Sequence, residues 1–300
     1  MKKKTYLFAL MAMVLTLGSC SDNENGIGGE TSKYITVSTS IGNMTRVATD
    51  EKGGQTFEEG DEISVYAWTG DATIAPDASE RVVNNAINKL TNGSWVSTPQ
   101  MLWKNNRDKH YFIGVYPTAA ISDLSAGEYT FDANKQTESD LLVAVNPDGL
   151  SYSADAQQTV PLTFTHVMAK LAVNLTYKNQ WGGIPTVEKV VVGNAAKEAT
   201  INYLTKVVTP STTAKEDFSL PEITENTKYV SVIIPQEDVK QLTIVIGGKN
   251  FVYDNGTPFK LESGKITTVN LEVGRDEIKL GDVKITDWED GSTFGGEALN

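Results

Sequence analysis

Cysteine and histidine, the side chains that build most disulfides, zinc sites and nucleophilic centres, are scarce in this 300-residue chain. It contains one cysteine, Cys20, and two histidines, His110 and His166. A single cysteine forms no disulfide within the chain, and the two histidines lack the spacing of zinc ligands. Each histidine lies in or beside a β-like segment, where we expect a hydrogen-bonded structural role. The sequence therefore predicts no metal centre and no cofactor.

The glycine-rich and serine motifs of common enzymes are also missing. Gly247-Gly248-Lys249 lacks the hydroxyl residue of a phosphate loop, and no Gly-x-Ser-x-Gly element occurs. Carboxylates are too numerous for any two to be assigned as a glycosidase pair, because such a pair is defined by its separation in space. The acidic segment 58–62 is interpreted as a solvated loop, with a weak calcium site as the alternative. An enzyme is not predicted.

Long apolar runs are absent except for one at the amino end. Three lysines at 2–4 precede an apolar run over residues 6–17, which is short for a bilayer span of about 20 residues. This pattern predicts a signal peptide, residues 1–19. The tetrad Leu17-Gly18-Ser19-Cys20 resembles the lipobox of bacterial lipoproteins, which implies cleavage before Cys20 and acylation of that residue. The alternative is an ordinary signal peptide with an incidental cysteine.

Positive charge is in short supply. The chain has 26 Lys and Arg against 38 Asp and Glu, a formal net charge of -12, and loss of residues 1–19 removes three lysines and leaves -15. Proteins that bind DNA or RNA gain much of their affinity from Lys and Arg contacts to phosphates, so a nucleic-acid partner is not expected. The polar segment 20–33 that follows the signal peptide is predicted to be a tether.

What the rest of the chain does contain is a series of short segments rich in Val, Ile, Thr, Tyr and Phe, separated by Gly, Pro, Asn and Asp. This pattern, with hardly any helical periodicity, predicts an all-β protein of two β-sandwich, Greek-key domains in tandem. The clearest predicted strands are 34–41, 63–68, 111–116, 141–145, 171–177, 187–192, 229–234, 242–246 and 266–273. A polar stretch near 151–158 predicts a boundary between domains at 34–157 and 158–275, followed by a tail at 276–300.

Six segments in a fixed order carry a resemblance to a known family. They are TFEEGDEI at 56–63, NGSW at 92–95, LW at 102–103, YFIGVYP at 111–117, FTHVMAKL at 164–171 and GKITTVNL at 264–271. Their order and spacing resemble those of the fimbrillin-like proteins of Bacteroidetes, the subunits of type V pili. The resemblance covers nearly the whole mature chain and implies transthyretin-like sandwich domains, a lipidated precursor at the outer membrane, and other pilin subunits as partners.

The resemblance also implies a processing site and a strand that leaves. In the family, a trypsin-like protease cuts after an arginine that follows the first strand, and a segment from another subunit fills the resulting groove. Here Arg46 follows the predicted strand 34–41, so Arg46-Val47 is the matching bond. The displaced strand would vacate the positions of Ile35, Val37 and Ile41, which share one face with Thr39.

The carboxy-terminal tail offers an apolar strand for such a groove. Ile278 and Leu280 alternate, and so do Val283 and Ile285. Because the spacing between the two pairs is odd, one apolar face requires a bulge or turn at Gly281-Asp282, and we expect two short strands there. The alternative is that residues 276–300 are simply the last strands of their own domain.

Two functions are therefore compared. The first is a structural subunit of a cell-surface fimbria, which is exported as a lipoprotein, cleaved after Arg46 and polymerised by strand exchange, and which mediates adhesion. The second is a lipid-anchored glycan-binding or adhesin protein that does not polymerise, with an exposed aromatic platform formed by residues such as Trp95, Trp103 and Trp181. In a sandwich, tryptophan is more often a core residue.

Overall fold

The computed structural model describes residues 33–42, 57–136, 138–153, 158–254 and 256–288, and these residues form an all-β protein. Each of the nine predicted strand segments contains a strand. The strands in chain order are β1 (Thr36–Ile41), β2 (Glu62–Thr69), β3 (Val83–Thr91), β4 (Ser94–Thr98), β5 (His110–Tyr116), β6 (Gly127–Thr130), β7 (Leu142–Leu150), β8 (Thr159–His166), β9 (Ala169–Tyr177), β10 (Val187–Ala196), β11 (Glu198–Asn202), β12 (Val207–Pro210), β13 (Lys215–Leu220), β14 (Glu222–Thr224), β15 (Lys228–Ile233), β16 (Gln241–Ile246), β17 (Lys249–Asp254), β18 (Lys265–Val273) and β19 (Ile278–Asp287).

Helix is limited to one short segment in the described ranges. This is the 3₁₀ turn Asn179–Trp181, which ends at Gly182 in the left-handed conformation. Among the residues that the structure describes, no helix has the length and apolar character needed to cross a membrane.

The N-terminal half forms one seven-stranded sheet in the order β1-β8-β7-β5-β2-β3-β4. β1 runs parallel to β8, and all other pairs in this sheet are antiparallel. In β8 the side chains of Val160, Leu162 and Phe164 point to the core because they alternate with exposed neighbours. The sheet curls until its two end strands approach each other, and the Nε1 of Trp95 in β4 donates a 3.0 Å hydrogen bond to Thr39 Oγ1 in β1.

The C-terminal half is a β-sandwich. One sheet has the order β13-β10-β16-β17 and the other has the order β14-β15-β9-β18-β19. Val190 and Leu242 from the first sheet lie in the same buried cluster as Val173 and Leu271 from the second. Inward side chains from two sheets thus share one core, as the alternating pattern predicts.

A third, three-stranded sheet connects the halves in the order β12-β11-β6. β6 belongs to the N-terminal half and pairs with β11 so that Gly127 lies opposite Ile201. Tyr66 and Trp68 of β2 belong to the buried cluster of the C-terminal half, because they lie on the face of the seven-stranded sheet that points towards it. The two halves therefore share apolar contacts as well as a sheet.

The position of β8 corrects the predicted division of the chain. The sequence assigned 158–275 to the second domain, but β8 pairs with β1 and β7 of the first sheet. The N-terminal sheet is complete only at His166, and the sandwich begins with β9. The polar stretch near 151–158 is a connection between two strands of the same sheet. Local composition predicts such a connection, but it does not predict which sheet the next strand joins, because that depends on residues distant in the sequence.

Candidate strand-exchange site

β1 and Ile35, the residue just before it, supply side chains to the interior of the N-terminal half. The side chains of Ile35 and Val37 are only 2% and 7% exposed to solvent, and Ile41 is half-buried. All three belong to or pack on one apolar cluster that also contains Phe112 and Phe164. Loss of β1 would expose this cluster along a groove, at a cost of about 1.5–3 kcal/mol for each fully buried side chain that is removed.

The backbone of β1 is hydrogen-bonded along the whole of one edge, and on the opposite edge a hydrogen bond is formed just before the strand begins. It forms a continuous parallel ladder with β8, from Thr36 opposite Thr159 to Ile41 opposite Phe164. On the other edge, Ile35 N donates to Met101 O at 3.0 Å. β1 therefore closes the seam between β8 and the segment that follows β4, and a strand that replaced it would find backbone partners already in place.

Three of the predicted processing residues lie outside the described residues. These are Cys20, Arg46 and Val47. β1 ends at Ile41, shortly before Arg46 in the sequence, and the described chain resumes at Phe57. The predictions of lipidation at Cys20 and of cleavage between Arg46 and Val47 therefore stay predictions.

The tail is paired with its own subunit. β19 lies at the edge of the five-stranded sheet and pairs antiparallel with β18. Leu280 lies opposite Leu271 and Val283 opposite Val269, so Gly281 and Asp282 together face the single residue Asn270. The predicted bulge is present, but the expected pair of short strands is wrong: the bulge adds one residue without interrupting the ladder, and β19 is one strand.

The apolar side chains of β19 are incompletely buried. The bulge keeps Ile278, Leu280, Val283 and Ile285 on the face that points to the sandwich core. Ile278 and Leu280 are half-buried, whereas Val283 and Ile285 keep 38% and 40% of their surface exposed. The strand predicted to leave thus places Val37, and Ile35 just before it, in the core, whereas the strand predicted to be donated lies on the surface.

Exposed ion pairs surround β19 and the turn before it. Lys265 pairs with Asp287, Lys178 with Glu277, and Lys284 Nζ lies 3.7 Å from Asp282 Oδ2. The hydrogen bond with Lys178 is the main cause that lowers the pKa of Glu277. Solvent-exposed pairs of this kind contribute little to stability, so they hold the tail only weakly.

Both histidines have the structural role that the sequence predicts. His110 is fully buried, and its Nε2 accepts a 3.0 Å hydrogen bond from Lys104 N. Burial lowers the pKa of His110. His166 Nδ1 lies 2.8 Å from Asp140 Oδ1. Across the residues that the structure describes, no three His, Cys, Asp or Glu side chains are grouped in a way that could hold a metal ion.

The three tryptophans considered for a sugar platform are engaged by the protein itself. Trp103 is buried, and Trp95 and Trp181 are half-buried with their indole N–H groups bonded to Thr39 and to Val273 O. The ring of Trp181 also lies edge-on to Phe251 at 5.8 Å. They contribute to packing and form no exposed aromatic surface.

One residue with a clear structural role was not singled out from the sequence. Trp288 follows β19 and is only 4% exposed, although the strand before it is exposed from Gly281 to Asp287. The signal in the sequence was a large aromatic residue, Trp288, within an otherwise polar segment near the carboxy terminus, which indicates a buried contact. Its contacts are with His166 and Lys170, which are more than a hundred residues away, so the sequence did not indicate them.

Comparison with known proteins agrees with this architecture. A family model described as fimbrillin-like matches residues 45–288. The chain belongs to the fimbrillin-like family. Over its full length this fimbrillin-like protein is 25% identical to Fim1C of Bacteroides uniformis, a candidate fimbrium subunit, and the match covers 99% of that protein.

Two crystal structures share the fold of this fimbrillin-like protein. Both are described as candidate cell adhesion proteins, one from Bacteroides uniformis and one from Bacteroides ovatus. Each has a TM-score of 0.62, with 19% and 18% sequence identity. The matches cover 86% and 85% of this chain and 100% and 98% of the solved chains.

Proposed function

We propose that this fimbrillin-like protein is a structural subunit of a cell-surface fimbria that mediates adhesion. It is exported as a lipoprotein anchored to the outer membrane through Cys20, and a protease cuts the Arg46-Val47 bond. β1 then leaves, and the tail of another subunit takes its place through Ile278, Leu280, Val283 and Ile285. Other pilin subunits are the partners, and the assembly needs no cofactor.

The observation that carries the proposal is the contrast between β1 and β19. Ile35 and Val37 lie in the core with almost no exposed surface, although β1 precedes the proposed cleavage site. Val283 and Ile285 are apolar but more than a third exposed in their own subunit. A subunit that has lost β1 therefore has an empty apolar groove, and a neighbour has a partly exposed apolar strand to fill it.

The exchange is favourable only if the groove buries more than the tail gives up. Leaving β18 breaks one antiparallel ladder, and joining β8 forms another, so the backbone hydrogen bonds largely offset each other. Complete burial of an aliphatic side chain is worth about 1.5–3 kcal/mol, and four partly exposed side chains gain part of that amount each. A head-to-tail contact of this kind does not close on itself, and its repetition forms a filament.

A second candidate is a lipid-anchored adhesin that remains a monomer. The pairing of β19 with β18 favours it, because the tail already has a backbone partner. The inward packing of Trp95, Trp103 and Trp181 removes the sugar platform that the sequence suggested for this candidate.

Limited cleavage distinguishes the two candidates. The chain lacking residues 1–20 is treated with an arginine-specific protease at low dose and run on a denaturing gel without boiling. We expect a ladder of multimers whose subunits begin at Val47, since strand-exchanged joints are long-lived. The Arg46→Ala variant should stay intact and monomeric, while Arg107→Ala, which removes an exposed arginine in a loop, should behave like the unmodified chain.

A product that begins at Val47 and yet stays monomeric at high concentration would disprove polymerisation by strand exchange. It would leave the lipid-anchored adhesin as the function. A chain that resists cleavage at Arg46 under conditions that cut at Arg107 would disprove the processing step.

A further inference from the structure

The tail of this protein is anchored by a residue beyond its last strand. From Gly281 to Asp287, β19 is exposed, whereas Trp288 directly after it is 4% exposed. Trp288 N donates a 3.0 Å hydrogen bond to Gly264 O, which fixes its backbone beside the turn that opens β18. In the part of the tail that the structure describes, up to residue 288, the apolar contact at the carboxy-terminal end is therefore concentrated in the Trp288 side chain.

Two side chains hold the Trp288 ring. The His166 ring stacks on it with centroids 4.0 Å apart and planes within 7° of parallel. The Nζ of Lys170, a side chain only 3% exposed, lies 4.1 Å from the centroid of the Trp288 ring. Stacking and cation–π contacts are both stronger when water is excluded, as it is here. We call Trp288, His166 and Lys170 the tail clamp.

The tail clamp is built on rigid parts of the fold. The His166 ring is oriented by Asp140, whose Oδ1 lies 2.8 Å from Nδ1. Gly264 N donates to Met168 O, and Ser263 Oγ donates to Val167 O. The turn that carries Gly264 is thus bonded to the connection between the two halves, so the side of the clamp that receives Trp288 is held by hydrogen bonds outside β19.

We propose that the tail clamp is an autoinhibitory latch that keeps the tail on its own subunit. Within β19 the side chains are half-buried or exposed and the ion pairs are solvated. Among the side chains of residues 278–288, Trp288 is therefore the main one that opposes opening of the strand from its carboxy-terminal end, in addition to the backbone ladder with β18. The latch limits how often the tail becomes free. Only one consequence rests on the proposed function: a tail that has been released can be donated to another subunit.

The latch is tested by measuring amide hydrogen exchange in the protein that lacks residues 1–20 and has not been cleaved at Arg46. Trp288→Ala should speed exchange of the β19 amides by about tenfold or more, which corresponds to about 1.4 kcal/mol, while the β10 amides keep their protection. Thr286→Ala, in the same strand and at an exposed position outside the donor set, is the matched control and should change exchange by less than about twofold. His166→Ala should reproduce the effect of Trp288→Ala, and His166→Phe, which retains a flat ring, should restore protection.

The latch is disproved if Trp288→Ala leaves β19 exchange within about twofold of the unmodified chain, or if β10 exchange rises by the same factor, since Trp288 would then be an ordinary core residue. The result is independent of polymerisation. Trp288→Ala could speed β19 exchange as expected while neither the unmodified chain nor the Trp288→Ala variant assembles after cleavage at Arg46. That outcome would disprove the proposed function and leave the latch supported.

Discussion

The Tyr203 ring covers Gly127 at the junction of the two halves, where a Cβ on the glycine would lie 2.6 Å from Tyr203 Cε2. No other residue type fits at Gly127 without moving the ring. Tyr203 N donates to Leu124 O at 2.8 Å, and the side chain is only 2% exposed. A single tyrosine thus joins the end of β11 to the N-terminal half, and the closeness of this contact depends on the glycine.

Tyr203 should make stability sensitive to alkaline pH. Burial raises its pKa to about 12, whereas an exposed tyrosine titrates near 10. The unfolded chain therefore loses this proton first, and the contribution is fully present below about pH 10 and is lost as the pH rises towards about 12. The expected loss is on the order of 2 kcal/mol, which Tyr203→Phe should remove.

Urea unfolding at a series of pH values from 8 to 12 measures this dependence. Tyr34→Phe, at an exposed position, is the matched control and should retain the full decline. An equal decline in the Tyr203→Phe variant would contradict the assignment.

At the scale of elements, β1 and β19 differ in how much of the fold depends on them. β1 completes a core and closes a curled sheet, whereas β19 adds one edge strand to a sandwich whose core is made mainly by other strands. Loss of an edge strand leaves the remaining ladders intact, although it exposes the backbone of β18. The two elements can therefore be removed with different consequences.

Truncation after Gly274 tests this difference. The shortened chain should keep its fold, with a lower midpoint of thermal unfolding because Ile278, Leu280 and Trp288 no longer pack. After cleavage at Arg46 it should accept a neighbour's tail but donate none. Added to cleaved full-length protein, it should shorten the ladder on an unboiled gel in proportion to its share.

A full-length Ile74→Ala chain, changed at a loop residue that is 65% exposed, is mixed in the same proportions as the control for dilution by a variant and should leave the ladder at nearly full length. If the truncated chain extends filaments as well as the complete one, β19 is not the donor.

At the scale of the whole molecule, net charge opposes association. Cleaved after Arg46, the chain keeps 21 Lys and Arg against 35 Asp and Glu, a formal charge of -14, so two subunits repel each other before any tail enters a groove. Salt screens this repulsion, with a Debye length of about 10 Å at 0.1 M and about 30 Å at 0.01 M. The proposed joint itself is mainly apolar and gains nothing from low salt.

Assembly of the cleaved subunit should therefore be faster at about 0.15 M than at about 0.01 M salt, at equal protein concentration. Light scattering after cleavage and removal of the protease follows the rate. Potassium glutamate and sodium chloride should act alike if screening is the cause. A rate that falls with added salt would indicate that attraction between opposite charges drives the encounter.

The sequence by itself predicted the all-β class, a strand in each of nine segments, and a bulge or turn at Gly281-Asp282, because alternation and turn residues act over a few neighbouring positions. The long strands β3 and β8 were not among those nine segments. It also predicted that His110 and His166 are structural. Only the tertiary structure decided that β8 pairs with β1, that β19 lies on β18, and that Trp288 lies between His166 and Lys170. These pairings join residues that are up to about 120 positions apart, and their energies depend on which surfaces remain to be buried after the local strands have formed.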